Sequence, residues 1–115
     1  MTSIGKLIAY LTSAGLGVHV SGQVPAQRPP QFITVERVGG ERTHLWDHPL
    51  FAVQVWAQTQ ADAVALADHV AALIMNWQMQ PYVASADVQS VYAFPDPDSR
   101  VPRYQLTVSA TLALT

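Results

Sequence analysis

The chain has 115 residues and no cysteine, a length that fits one domain spanning residues 1–115 and a composition that excludes a disulfide framework or a thiolate zinc site. Half of the residues are hydrophobic, which excludes a disordered chain, and no apolar run approaches the roughly 20 residues needed to span a membrane. Six Lys and Arg against eight Asp and Glu leave a net charge of −2, which argues against nucleic-acid binding driven by phosphate neutralisation.

Residues 3–14 place Ile4, Leu7, Ile8 and Leu11 on one face of a short amphipathic helix, with Ser3 as N-cap and Gly15 beyond its end. Thr12 and Ser13 break its apolar part and Lys6 is its one basic residue, so the segment reads as a helix and not as a secretory signal. Residues 16–24 alternate as a strand, and QRPP (27–30) breaks it. QFITVERV (31–38) is a β-branched strand, and GGER (39–42) reads as the turn of a hairpin. The following strand region, 43–58, is interrupted at DHP (47–49); in its second half Phe51, Val53 and Val55 alternate with Ala52, Gln54 and Trp56.

Thr59 and Asp62 form an N-terminal capping pattern for a second helix. Leu66, Val70, Leu73, Ile74 and Trp77 make its apolar stripe, which predicts a helix to about Asn76. Two strands follow, DVQSVYAF and VPRYQLTVSATLAL. In the last one Tyr104, Leu106, Val108, Ala110, Leu112 and Leu114 share one face, and Arg103, Gln105, Thr107, Ser109 and Thr111 the other. The order α–β–β–β–α–β–β predicts an α+β fold, with both helices on one face of a largely antiparallel sheet.

Charged residues make up only 12% of the chain, against about 25% in typical soluble domains. A small domain has much surface to solvate, and interface cores are depleted of charge. The deficit therefore predicts a surface partly covered by other protein; an uncharged surface of Gln, Thr, Ser and Asn is the alternative source.

The sequence carries no catalytic signature, and we expect neither enzymatic activity nor a cofactor. His44 and His48 lie in a strand-and-bend region, where a four-residue separation spans roughly 13 Å, too far for one ion. His19 and His69 read as exposed or interface residues. Asp96 and Asp98 alternate with Pro95 and Pro97, which is turn chemistry before it is a magnesium site. Gly39-Gly40 lacks the Lys-Ser/Thr and the following helix of a phosphate loop.

RPPQFITVERVGGERTHLWDHPLFAVQVWAQTQADAVALADHV (28–70) and VYAFPDPDSRVPRYQLTVSATLAL (91–114) together resemble the small tail-terminator proteins of long-tailed phages and prophages, especially those of actinobacterial hosts. The matching features run in order: Arg28-Pro29, the strand Thr34-Val35-Glu36-Arg37 into Gly39-Gly40, and the Asp47/Pro49 bend. Val55-Trp56-Ala57 with its Ala/Leu-rich helix, and Phe94-Pro95-Asp96-Pro97 before Arg103-Tyr104, complete them.

The resemblance implies a structural subunit that forms a ring, commonly hexameric, on the head-proximal end of the tail tube. The ring stops tube polymerisation and offers a surface to head-completion or connector proteins; it belongs to the virion tail and is assembled in the host cytoplasm. DNA would pass its lumen without specific binding, and no membrane is involved. A neck or connector ring of the same fold is the nearest rival. Candidate subunit and tube contacts are Asp96, Asp98, Arg100, Arg103 and Tyr104 in and after the proline loop, with Glu36, Arg37, Glu41, Arg42, Trp46 and Asp47. Glu36, Glu41, Asp47 and Asp62 are the acids that could face the bore. A different class, a small-ligand-binding α+β domain or a toxin–antitoxin-like partner, predicts a closed pocket lined by Trp46, Trp56 and Tyr92.

Overall fold

The computed structural model describes residues 1–114. Helix α1 (Ser3–Thr12) precedes strands β1 (His19–Ser21), β2 (Phe32–Gly39), β3 (Trp46–Asp47) and β4 (Leu50–Trp56); helix α2 (Gln60–Asn76), continued by a 3₁₀ turn at Trp77–Met79, precedes β5 (Val83–Ala93) and β6 (Arg103–Ala113). This is the expected α+β order with one extra strand, the two-residue β3. The strands form one sheet in which β6 is central, with β4 and then β2 and β1 on one side and β5 on the other. All pairings are antiparallel except β1 with β2.

Both helices pack on one face of the sheet. Leu7 and Leu11 of α1 and Val70, Ile74 and Trp77 at the end of α2 are fully buried against Ile33, Val35, Val53, Val55, Leu106 and Val108. Burying a leucine side chain is worth about 2 kcal/mol, so α1 is held chiefly by Leu7 and Leu11. The alternation read in β6 holds: Leu106, Val108, Ala110 and Leu112 are buried under the helices, and the residues between them are half-buried on the open face. Trp77 lies among Tyr10, Phe51 and Tyr82 and donates to Tyr82 Oη at 3.1 Å.

The capping of α2 is as expected, Thr59 Oγ1 accepting from the Asp62 amide at 3.1 Å. At α1 the cap is Thr2, which accepts from the Gly5 amide at 3.0 Å, and not Ser3. Ser3 is the first helical residue, and its hydroxyl points to Asp47. The helix also stops two residues earlier than expected, ahead of the left-handed Gly15 (φ 78°). Only three residues of the expected strand 16–24 pair with β2.

The GGER segment is not a simple hairpin turn. β2 pairs with β4, while the chain between them makes an excursion in which β3 adds to the far end of β6. Gly40 makes this excursion possible: its φ is +103°, and a Cβ there would lie 2.0 Å from the His48 carbonyl oxygen. β5 begins four residues before the strand read from DVQSVYAF, because Val83 already pairs with Leu112. The resulting β5–β6 hairpin carries the loop 94–102 at its end, and the molecule measures 42 × 26 × 25 Å.

Candidate functional site

The eleven candidate contact residues separate into two clusters and one outlier. Trp56 pairs with Arg103 at one end of β6 and Asp47 with Leu112 at the other, about 30 Å apart at strand rise.

The first cluster is the base of the proline loop. Phe32 and Trp56 stack on the open face with centroids 5.0 Å apart and planes 17° apart. The Arg103 guanidinium lies between Trp56 (4.7 Å) and Phe94 (4.6 Å), and its Nε donates to the Phe94 carbonyl at 2.6 Å. Arg28 covers Trp56 from 5.2 Å and approaches Asp96 at 3.9 Å. These contacts explain why Trp56, on the open face, is only 3% exposed. A planar cation between two ring faces is a favourable electrostatic arrangement, and here it clamps the loop to the sheet.

The loop itself is closed by its own acid. Asp96 accepts from the Ser99 amide at 3.3 Å and from the Ser99 hydroxyl, and its carbonyl accepts from the Arg100 amide at 2.9 Å. The Ser99 hydrogen bonds hold the Asp96 carboxyl below the usual carboxylate range. Arg100 completes the turn in the left-handed region (φ 58°), a conformation that L-residues adopt at a cost. Asp96 and Arg103 are thus occupied within the chain, whereas Asp98 and Arg100 have no ion-pair partner among the described residues. Tyr104, on the helix side, accepts from Gln60 Nε2 at 2.9 Å and ties the loop's end to α2.

A chain of hydrogen bonds crosses the open face from this cluster. Trp56 Nε1 donates to Thr34 Oγ1 (3.3 Å), Thr34 to Gln54 Oε1 (3.4 Å), and Gln54 Nε2 to Gln105 Oε1 (3.0 Å). Gln105 Nε2 then donates to Tyr92 Oη. The indole N–H can only donate, so the series has one direction and leaves the Tyr92 hydroxyl proton available at the exposed end.

The second cluster is built around Asp47, which is 1% exposed. Arg37 grips it in bidentate fashion, Nη1 to Oδ2 at 2.7 Å and Nη2 to Oδ1 at 2.9 Å, and Ser3 Oγ donates to Oδ2. Arg37 also donates to the Gly39 and Gly40 carbonyls. The Arg37 hydrogen bonds, assisted by Ser3 and opposed by burial, hold the Asp47 carboxyl below its ordinary range, and the same pairing raises Arg37. This pair joins α1, β2 and β3 and is not a free contact surface. Glu41, Arg42 and Trp46 are exposed beside it. Ser3, Lys6, Arg37, Arg42 and Asp47 line part of an open cleft of about 530 Å³. Glu36 is the outlier, exposed on the open face opposite Ala52.

Sequence reasoning did not single out Phe32, Trp56 and Phe94 as a stack around Arg103, nor Ser3 as a partner of Asp47. Those residues are far apart in the chain, and no local spacing signals their meeting. Trp46 lies at the opposite end of the sheet from Trp56 and Tyr92, so the pocket expected for a small-ligand domain does not form from these three. Among the described residues no three His, Asp or Glu side chains group as a metal site, and no helix is long and apolar enough to cross a membrane. His48 Nδ1 lies 3.1 Å from Thr111 Oγ1.

No family model matches the chain, and no curated protein matches it. The structure is similar to a chain in the virion of a native gene transfer agent particle, with a TM-score of 0.72 over 98% of this chain and 99% of that chain, at 12% identity. At that identity the shared feature is the fold, and it extends over both chains from end to end.

Proposed function

We propose that this protein is a virion structural subunit that forms a hexameric ring on the head-proximal end of a tail tube. There it stops tube polymerisation and presents a surface for head joining. The observation that carries this reading is the end-to-end likeness to a virion chain, which agrees with the ordered resemblance in residues 28–70 and 91–114 to tail terminators.

The physical features support the reading. A ring subunit buries two different surfaces in heterologous contacts, which suits a chain with 12% charged residues. The β5–β6 hairpin carries Val91, Tyr92 and Phe94, each about 40% exposed, beside the base of a loop already rigidified by Pro95, Pro97 and the Arg103 clamp. Ordering such a loop against a neighbour costs little further entropy. Asp98 and Arg100 are the charged groups of that loop left to meet a partner. The open face offers amides and hydroxyls, and the cations Arg28 and Arg103 there are both held against the Trp56 ring. Such a surface would let DNA pass without binding.

The test is deletion of the gene from a genome that makes the particle, with tail lengths measured by electron microscopy. Overlong tubes lacking heads are expected. Tubes of normal length that fail to join heads would assign the chain to the neck ring instead, and normal tails joined to heads would overturn both.

A further inference from the structure

The two edges of the sheet are guarded unequally. β5 is a long edge strand, and such strands are kept from pairing by charges, prolines or bulges. The inner part of β5 has these devices: register shifts at Val83/Ser85 and Val88/Ser90, with the exposed Asp87 between them. From Ser90 to Ala93 the register against Thr107–Tyr104 is regular, and the segment Ser-Val-Tyr-Ala has no charge, proline or bulge. All four residues are exposed. The opposite edge, β1, is a bare segment of similar length, His19–Ser21, with no Asp, Glu, Lys or Arg. A cleft of about 510 Å³ lined in part by Val18, His19, Pro29 and Pro30 opens where β1 begins, with room for an aromatic side chain of an added strand.

We infer that Ser90–Ala93 of one copy pairs, strand to strand, with the β1 edge of a second copy, so that the sheet continues from subunit to subunit. Unpaired backbone N–H and C=O groups specify a β-strand as their partner. The occupant is a second copy because the chain carries both halves of the match: two bare edges of three to four residues without like charges to oppose them. Unlike edges pair head to tail, and a head-to-tail contact repeats until it closes, whereas β5 pairing with β5 would stop at a dimer. This inference rests on the ring reading and names its contact.

The absence of cysteine makes the test clean. Ser21→Cys and Ser90→Cys, alone and together in the full chain, are treated with a short bis-maleimide that tolerates a slip of register. The reaction is run both at high protein concentration and in assembled particles. The double variant should give a ladder of covalent multimers, each single variant should stay monomeric, and the mixed single variants should give heterodimers. Adding Ser90→Lys in a double variant labelled at Val91→Cys instead should abolish the ladder while the circular dichroism spectrum is kept. Dimers from Ser90→Cys alone, or monomers from the double variant in both settings, would overturn the inference. Tail length separates this from the ring's role: a ladder with normal tails on gene deletion removes the terminator reading alone, and overlong tubes without a ladder remove the edge pairing alone.

Discussion

Replacing Asp47 by Asn tests whether the buried ion pair holds α1 and the β2–β4 excursion to the sheet. Asparagine keeps the shape but removes the charge that accepts two Arg37 hydrogen bonds, at 2.7 and 2.9 Å, and the Ser3 hydroxyl. Removing one partner of a buried pair costs about 3–5 kcal/mol, because the other charge stays behind uncompensated. Arg37 keeps 29% of its side chain exposed and can be partly hydrated, which places the expected loss at the lower end, about 3 kcal/mol. For a domain of this size that corresponds to a fall in Tm of roughly 12 °C. Urea denaturation followed by tryptophan fluorescence measures it, and a double-mutant cycle with Arg37→Leu should show coupling of about 2 kcal/mol. The pH dependence supplies the sign. The folded pKa of Asp47 lies below its ordinary value, so its stabilisation is complete above the unfolded value of about 3.9 and is lost as pH falls towards the folded pKa. The gap between wild type and D47N should therefore narrow below about pH 4. A loss under about 1 kcal/mol, the level of a surface pair, or strict additivity with the Arg37 variant, would refute the reasoning.

Arg103→Ala should cost about 1 to 2 kcal/mol through loss of the stack between Trp56 and Phe94, and hydrogen exchange of amides 94–103 should speed up while the α2 amides stay protected. Arg100→Gly should stabilise by about 0.5 to 1 kcal/mol, relief of the left-handed backbone outweighing the added flexibility of glycine, read as a rise in Tm. Gly40→Ala should cost about 3 kcal/mol or more, because its Cβ would meet the His48 carbonyl oxygen and its φ is +103°; a wild-type Tm would show that the excursion relaxes freely. Leu11→Ala should cost about 2–5 kcal/mol by leaving a cavity under α1, measured by the same denaturation.

Periodicity made much of the architecture legible, because burial imposes a local pattern on each element. The stripe through Leu66, Val70, Ile74 and Trp77 marked α2, its Thr59 cap marked its start, and the two-residue alternation of 104–114 marked which face of β6 the helices cover. Local patterns failed where a distant partner decided the outcome. Ser3 has the chemistry of a cap, yet its hydroxyl serves Asp47, forty-four residues on. GGER has the composition of a hairpin turn, yet the Arg37–Asp47 pair and the β3–β6 ladder draw the chain into a longer path. The contact residues showed the same division. Their polar or aromatic character was visible in the sequence, but whether each charge was spent inside the chain was not.

The sequence by itself determined one charge-poor domain with two amphipathic helices and strands of known facing, since those properties follow from residue type and spacing alone. Tertiary structure decided that Arg103 is sandwiched, that Asp47 is buried and paired, and that two short lengths of edge strand are left bare. Each of these depends on groups brought together from distant parts of the chain, and through-space contact between such groups leaves no trace in local order.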